Sequence, residues 1–178
     1  RADERALAQG VDIFKVFELV RKIRNNVEVP MVFLLYYNVM VQYGIEKFFK
    51  RCQETGVDGL IIPDLPYEES DEIKEYTEKY GVYQISLVSP TSKDRIKNIA
   101  KDAKGFLYCI SSLGVTGEKS SFVTNFDEFV GTIKKYTDVP ACVGFGVSNG
   151  RQVKELTNIS TVLLSAVQSL SLLQPVRV

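Results

Sequence analysis

Histidine is absent from the 178-residue sequence, and neither sign of charge is in excess. The lack of histidine excludes a Ser-His-Asp triad, imidazole acid–base chemistry and histidine metal ligands. Acid–base chemistry would therefore fall to carboxylates, tyrosine or lysine. The 22 basic and 22 acidic residues give a formal net charge of zero, so composition gives no electrostatic support for nucleic-acid binding.

Long hydrophobic runs and cysteine pairs are scarce as well. The apolar runs are too short to span a bilayer as a helix, so we expect no membrane-spanning segment. The three cysteines, Cys52, Cys109 and Cys142, show no CxxC spacing, which predicts reduced cysteines in a core. This pattern is typical of a cytoplasmic protein, or of one in the plastid stroma if the source is a plant or alga.

Short apolar runs alternate with stretches of helical period along the chain. The runs that predict buried strands are 31–36, 59–63, 82–88, 105–110, 141–145 and 161–165. Between them, sets such as Ile13, Val16, Phe17 and Val20 fall on one helix face. Apolar strands that alternate with amphipathic helices indicate parallel β/α units, which form either a doubly wound sheet or a barrel.

An internal repeat favours the barrel. The stretches IRNNVEVPMVFLLYYN (23–38) and IKKYTDVPACVGFGVSN (133–149) share a basic helix end, Val-Pro before the strand and Asn near its end. No GxGxxG follows a strand, so a doubly wound dinucleotide-binding fold lacks its main signature. We therefore predict one α/β domain over 1–178, an incomplete (β/α)8 TIM barrel with about six of the eight units and without the first two strands.

Loops rich in glycine or serine follow the last three predicted strands. They are Ser111 to Gly117, the stretch GFGVSNG (144–150) and Ser165. In a β/α barrel such loops lie at the catalytic end, where main-chain N–H groups bind phosphate. Glycines that only make tight turns explain the spacing equally well. The residues alone leave both interpretations open.

The stretch GVDGLIIPDLPYEES (56–70) places a carboxylate at the same end. Asp64 follows a buried strand, and Pro63 and Pro66 make the exit from that strand rigid. Two roles fit Asp64 equally: contact with a substrate or partner, or capping of the next helix or turn.

A set of motifs occurs in a specific order: RADERAL, the YxN end of MVFLLYYN, GVDGLIIPDLPYEES, SPTS, GFLYCISSLGVTG and GFGVSNGRQV. Over roughly residues 1 to 158 the sequence thereby resembles the α subunit of tryptophan synthase and the related free-standing plant indole-3-glycerol-phosphate lyases. The resemblance implies a β/α barrel that splits indole-3-glycerol phosphate into indole and glyceraldehyde 3-phosphate in tryptophan biosynthesis. It implies no cofactor or metal in this chain, since pyridoxal phosphate belongs to the β subunit of that complex.

The resemblance also implies residue roles and a β-subunit partner. It assigns phosphate binding to Gly117, Gly146 and Ser165, the substrate pocket to Leu35, Tyr108, Thr116 and Phe145, and the partner interface to Asn38, Asp64 and Pro66. In this assignment Thr116 and Gly117 belong to a loop that closes over the substrate.

Two departures from the family pattern accompany the resemblance. The family's catalytic glutamate and aspartate would lie before Arg1, so no catalytic residue is assigned and we expect the chain to be inactive alone. After Asn158 the resemblance is lost, and Leu164 stands where the family has the glycine of a Gly-Ser pair. We expect this leucine to weaken phosphate binding, and we interpret the tail as an aberrant end.

Two alternatives to a tryptophan synthase α-type lyase remain. In the first, the chain is a non-catalytic remnant that only binds a β-type partner. In the second, it is another phosphate-binding barrel enzyme. The second is disfavoured for indole-3-glycerol-phosphate synthase, which needs lysines on strands, because the six strand runs contain none.

Overall fold

The computed structural model describes residues 10–110, 128–144 and 162–164. Helices and short strands alternate along these residues, as the sequence predicts. The α-helices are α1 (Ile13–Arg24), α2 (Tyr37–Tyr43), α3 (Ile45–Thr55), α4 (Asp71–Tyr80), α5 (Ile96–Asp102) and α6 (residues 128–133). The strands are β1 (Val32–Leu34), β2 (Gly59–Ile61), β3 (Tyr83–Gln84), β4 (Leu87–Val88), β5 (Leu107–Ile110), β6 (Ala141–Gly144) and β7 (Val162–Leu164). Two 3-10 helices cover Tyr67–Glu69 and Pro90–Arg95.

The described strands all pair in parallel, in the orders β1-β2-β3 and β4-β5-β6-β7. The sequence predicts one strand at 82–88, and the structure divides it into β3 and β4. Backbone bonds nevertheless continue across the division, because Ile85 N–H donates to Leu60 O (2.8 Å) and Ser86 O accepts from Tyr108 N–H (2.9 Å). Each of the six predicted runs therefore contains a strand, and consecutive runs are neighbours.

The outer face of the strands packs against the helices in two clusters. The first outer cluster comprises Phe17, Val20, Met40, Phe48, Phe49, Cys52, Val57, Leu60, Ile62, Leu65, Ile73 and Val82. The second outer cluster comprises Val88, Ile96, Ile99, Ala100, Leu107, Cys109, Phe129, Val130, Ile133 and Ala141. Each large apolar side chain that is fully buried in this way contributes about 1.5–3 kcal/mol.

Helix α1 shows why the periodic stretches become helices. Asp12 caps it, since the carboxylate accepts a hydrogen bond from Lys15 N–H at 2.9 Å. Phe17 and Val20 bury its apolar side. Its last turn is basic, with Arg21, Lys22 and Arg24 near the negative end of the helix dipole.

Helix α2 has no counterpart in the sequence prediction. Tyr36 precedes it in an extended conformation and offers no side-chain cap, so the usual start signal is missing. Met40 is its one buried residue, and seven residues are too few to show a helical period. The helix depends on contacts from elsewhere in the chain.

The amino ends of the strands are held together by Arg24. Its guanidinium donates to Val29 O (2.8 Å), to Gly56 O and to Asp58 Oδ2 (2.5 Å). Asp58 Oδ2 also accepts from Met31 N–H at 2.7 Å. Gly56 ends α3 at φ +82°, and a Cβ there would lie 2.8 Å from Arg24 Nε, so glycine is required.

The three cysteines are buried, and none of them forms a disulfide. Burial raises the pKa of the Cys52 thiol to about 12, that of Cys109 to about 12 and that of Cys142 to about 11. They are therefore protonated, apolar core residues at neutral pH, which confirms the prediction of reduced core cysteines.

Candidate functional site

Parallel strands place all their carboxyl ends at one edge of the sheet, and the predicted site residues follow those ends. The face of the strands turned away from the helices, called here the inner face, has its own buried cluster of Ile61, Ile85 and Tyr108. Partly buried residues including Val32 and Leu87 pack against this cluster. This cluster is thus apolar apart from the phenolic hydroxyl of Tyr108.

Tyr108 lies on β5, paired in register with Leu87 on one side and Cys142 on the other. Only 6% of the residue is exposed. Burial raises the pKa of its hydroxyl, so the group is a neutral hydrogen-bond donor over the physiological pH range. Among the residues that the structure describes, none forms a hydrogen bond with this hydroxyl, which suits it to a polar ligand atom.

Leu35, predicted to line the pocket with Tyr108, packs partly buried against the first outer cluster. Its neighbour Leu34 stands opposite Ile61 in the β1–β2 register, and 59% of it is exposed. Leu34 is therefore the residue that shares the inner face with Tyr108. The sequence gives no signal for this choice, because a run that is apolar on both faces does not show which face each side chain takes.

Asp64 holds two loops together at the carboxyl edge. Both carboxylate oxygens accept from Tyr37 N–H, at 2.8 Å and 3.1 Å. The sequence suggests, as one of two roles, that Asp64 caps the helix or turn that follows it. In the structure it accepts from the first residue of α2, an earlier helix, and makes no such bond to α4. The Tyr37 hydroxyl in turn donates to Glu72 Oε2 at 2.8 Å.

Asn38 and Pro66 lie exposed beside this contact. Asn38 follows Tyr37 directly, and Pro66 comes two residues after Asp64, with the buried Leu65 (4% exposed) between them. The structure thus brings together the three residues predicted for a partner interface, although 26 positions separate Asn38 from Asp64. The sequence prediction did not include Tyr37 and Glu72, which support this edge.

The remaining predicted residues, Thr116, Gly117, Phe145, Gly146 and Ser165, lie outside the described part of the chain. The backbone register gives one fact about their surroundings. Leu164 pairs with Gly144, at the start of the GFGVSNG stretch. The leucine backbone therefore runs directly beside the strand that leads into the predicted phosphate loop.

A groove of about 910 Å3 lies between α4 and α5 along the strand at 82–88. An ion pair of Arg95 with Glu68 (2.5 Å) and a hydrogen bond from Tyr67 to Asp102 join its two sides. Of the predicted site residues that the structure describes, Pro66 alone lines it. The groove therefore adjoins the inner face through Ile85, Leu87 and Ile110, but Tyr108 does not line it.

The described residues contain neither a cluster of metal ligands nor a membrane-spanning helix. No group of three or more cysteine, aspartate or glutamate residues there is placed to hold a metal ion. None of the helices described is both long and apolar enough to cross a membrane.

Comparison with known proteins supplies the family. The family model described as tryptophan synthase alpha chain matches residues 1–170. The tryptophan synthase alpha chain of Alkaliphilus metalliredigens is 48% identical over 159 residues, which are 89% of this chain and 60% of that protein. That of Thermoanaerobacter sp. is 46% identical, over 89% of this chain and 61% of that protein. The chain thus spans about three fifths of the length of these relatives.

Solved structures agree with the sequence relatives. Tryptophan synthase subunit alpha from Campylobacter jejuni is similar with a TM-score of 0.82 and 41% identity, over 90% of this chain and 64% of that one. The tryptophan synthase complex from Pyrococcus furiosus contains a chain with a TM-score of 0.77 and 28% identity, over 91% of this chain and 65% of that one. The prediction of an incomplete α/β barrel is confirmed by these neighbours and by the parallel order of the strands. This chain belongs to the tryptophan synthase alpha chain family.

Proposed function

We propose that this chain forms the substrate-binding part of a lyase that splits indole-3-glycerol phosphate into indole and glyceraldehyde 3-phosphate in tryptophan biosynthesis. The observation that supports it is the position of Tyr108 on an apolar inner face, in a chain whose residues 1–170 match the family. The proposed partner is a tryptophan synthase β subunit, to which pyridoxal phosphate belongs. No cofactor is proposed for this chain itself.

The proposed indole pocket is the inner face at the carboxyl edge. Ile61 and Ile85 supply an apolar floor, and Leu34 lies exposed at its margin. We favour Leu34 over Leu35 here, because Leu35 packs against the helices. The Tyr108 hydroxyl, kept neutral by burial, would donate to a polar atom of the ligand.

The proposed phosphate site consists of Gly117, Gly146 and Ser165, with Thr116 and Phe145 completing the pocket. Main-chain N–H groups at glycine-rich turns suit an anion without a lysine or arginine. The backbone of Leu164 pairs with Gly144, next to the proposed phosphate loop, and we expect the leucine to weaken phosphate binding there. These roles are the ones that the family resemblance implies.

Acid–base groups are not proposed among the described residues. Asp64 is unsuitable, because both of its oxygens accept from the Tyr37 amide. No residue in 1–178 matches the family's catalytic glutamate and aspartate. We therefore expect residues 1–178 to bind the substrate without releasing indole at a measurable rate, since a positioned acid or base supplies about 10²–10⁴-fold.

Partner binding without catalysis is the second candidate function. It is favoured by the exposed positions of Asn38, Asp64 and Pro66 at one edge, held in place by the Asp64–Tyr37 bond. A pull-down with a β subunit combined with an indole-release assay separates the two candidates. Partner binding with no affinity for the substrate would favour this second function.

Titration calorimetry with indole-3-glycerol phosphate tests the leading proposal. Tyr108→Ala should weaken binding by about tenfold, because it removes both the ring and the hydroxyl from the pocket. Tyr136→Ala, which changes a tyrosine 38% exposed outside the inner face, is the control and should bind as the original chain does. Equal binding by both variants, with folding verified by circular dichroism, would contradict the pocket.

A further inference from the structure

The hydrogen bonds between β1 and β2 stop at a defined point near the carboxyl edge. Leu35 N–H donates to Ile61 O at 3.1 Å, as the next step of a parallel ladder. The reciprocal bond to Leu35 O would come from the backbone nitrogen of residue 63. That residue is proline, which has no N–H, so the backbone ladder cannot continue.

The Asp64 side chain takes over where the backbone ladder ends. Its two oxygens accept from Tyr37 N–H, at 2.8 Å and 3.1 Å, two residues beyond Leu35. Tyr37 is the first residue of α2, and Tyr36 before it makes no capping bond. Asp64 therefore supplies from a different loop the acceptor that a local cap would otherwise provide.

A second contact holds the same helix from another direction. The Tyr37 hydroxyl donates to Glu72 Oε2 at 2.8 Å, and Glu72 lies in the first turn of α4. Residue 37 is thus bonded through its backbone to the loop after β2 and through its side chain to α4. Asn38, the next residue, is exposed on the turn that these two bonds fix.

We propose that Asp64 is a positioning residue: its carboxylate fixes the first turn of α2 and so holds Asn38 in place at the carboxyl edge, instead of contacting a partner directly. That Asn38 meets a tryptophan synthase β subunit rests on the proposed function. The bond between Asp64 and Tyr37 does not rest on it. The family resemblance implies that Asp64 belongs to the partner interface. A residue that contacts the partner through its charge needs the carboxylate, whereas a positioning residue needs only an acceptor oxygen.

Amide hydrogen exchange tests the positioning role without any partner. Asp64→Ala removes the acceptor, so the amides of residues 37–40 should exchange about fivefold faster, the effect expected for loss of a helix cap. Asp64→Asn keeps an acceptor oxygen and should stay within about twofold of the original rate. Unchanged exchange in Asp64→Ala would overturn the proposal.

Asp71→Ala is the matched control for this experiment. Asp71 is an exposed aspartate of the same region, and its one ion pair is with Lys74 at 3.8 Å. It makes no bond to α2, so its removal should leave exchange at residues 37–40 unchanged. Acceleration equal to that of Asp64→Ala would show a general charge effect and would overturn the proposal.

Binding of the β subunit from Alkaliphilus metalliredigens provides the second measurement. Asn38→Ala and Asp64→Ala should weaken it, the latter by about fivefold, while Asp64→Asn should bind within about twofold of the original chain. Equal weakening by Asp64→Asn and Asp64→Ala would show direct contact through the charge and would overturn the proposal. If the original chain binds no β subunit, the proposed partner is wrong, and the exchange rates alone decide whether Asp64 positions α2.

Discussion

The two copies of the internal repeat, residues 23–38 and 133–149, begin with the same elements in different surroundings, as far as the described residues 23–34 and 133–144 show. In each, a helical stretch is followed by a Val-Pro step and a parallel strand, β1 or β6. β1 pairs with β2 alone among the described strands, whereas β6 lies between β5 and β7. A shared pattern therefore yields the same elements, but the neighbouring strands decide how much of each copy is buried.

Equivalent side chains of the two copies show this difference. Ile133 is fully buried in the second outer cluster, whereas 38% of Ile23 is exposed. The next residue of each copy is basic, and here it is the first copy that makes more contacts. Arg24 donates to three carbonyl oxygens and to the Asp58 carboxylate. The side chain of Lys134, by contrast, is bonded to no residue of the described segments. Each copy is thus anchored at a different position.

Truncation of the equivalent isoleucines should give the largest contrast. Ile133→Ala should lower the free energy of unfolding by about 2–5 kcal/mol, because it opens a cavity in a closed cluster. Ile23→Ala should cost about 1 kcal/mol or less, since that side chain is already partly exposed. Urea denaturation followed by circular dichroism measures both. Equal losses would mean that the two copies are buried alike.

Truncation of the basic residues should destabilise the first copy more than the second, with a smaller loss of unfolding free energy than the isoleucine variants show. Arg24→Ala should cost about 2 kcal/mol, mostly from the lost bonds to carbonyl oxygens. The ion pair adds little, because 48% of the Asp58 side chain is exposed and solvent screens it. Lys134→Ala, the matched control, should stay within about 0.5 kcal/mol in the same urea experiment. A loss of similar size in both variants would contradict the assignment of Arg24 as the anchor.

The smallest expected effect on stability concerns Tyr37 and the equivalent position in the second copy, Val147, each three residues after its strand. Burial, followed by the hydrogen bond with Glu72, raises the pKa of Tyr37 from 10.0 to about 12, and Val147 at the equivalent place has no titratable group. The folded chain therefore holds this proton more tightly than the unfolded chain does. The resulting stability is present below pH 10 and is lost as the pH rises from 10 towards 12.

Tyr37→Phe should abolish this part of the alkaline sensitivity. Urea midpoints measured at about pH 8 and about pH 11 should converge for the variant and the original chain as the pH rises, because the contribution of the hydroxyl disappears from the latter. Val147→Ala serves as the control for the second copy, and its difference from the original chain should not change with pH. A constant gap between Tyr37→Phe and the original chain would contradict the raised pKa.

Much of the fold is predictable from short-range patterns. Each of the six apolar runs contains a strand, because residues that are apolar on both faces can only be buried in a layered sheet. The periodic stretches became α1, α3 and α5, and Asp12 shows a local cap where the sequence supplies one. The extent of one domain over 1–178 remains a prediction.

The candidate site was less predictable, for a physical reason. Tyr108 and the grouping of Asn38 with Asp64 and Pro66 follow from the family resemblance, and the described structure places them at or near the carboxyl edge. The choice between Leu34 and Leu35 depends on the β1–β2 register. The start of α2 depends on a carboxylate from another loop, so no local signal could reveal it.

The sequence by itself determined the six strand runs, the helices between them other than α2, the buried cysteines and the family, since these follow from local periodicity, composition and motifs. Only the tertiary structure decided that Asp64 bonds to Tyr37, that Leu34 and not Leu35 takes the inner face, and that Ile133 is more deeply buried than Ile23. These outcomes depend on contacts between residues distant in the chain, and the energy of such a contact is set by the neighbour that the fold supplies.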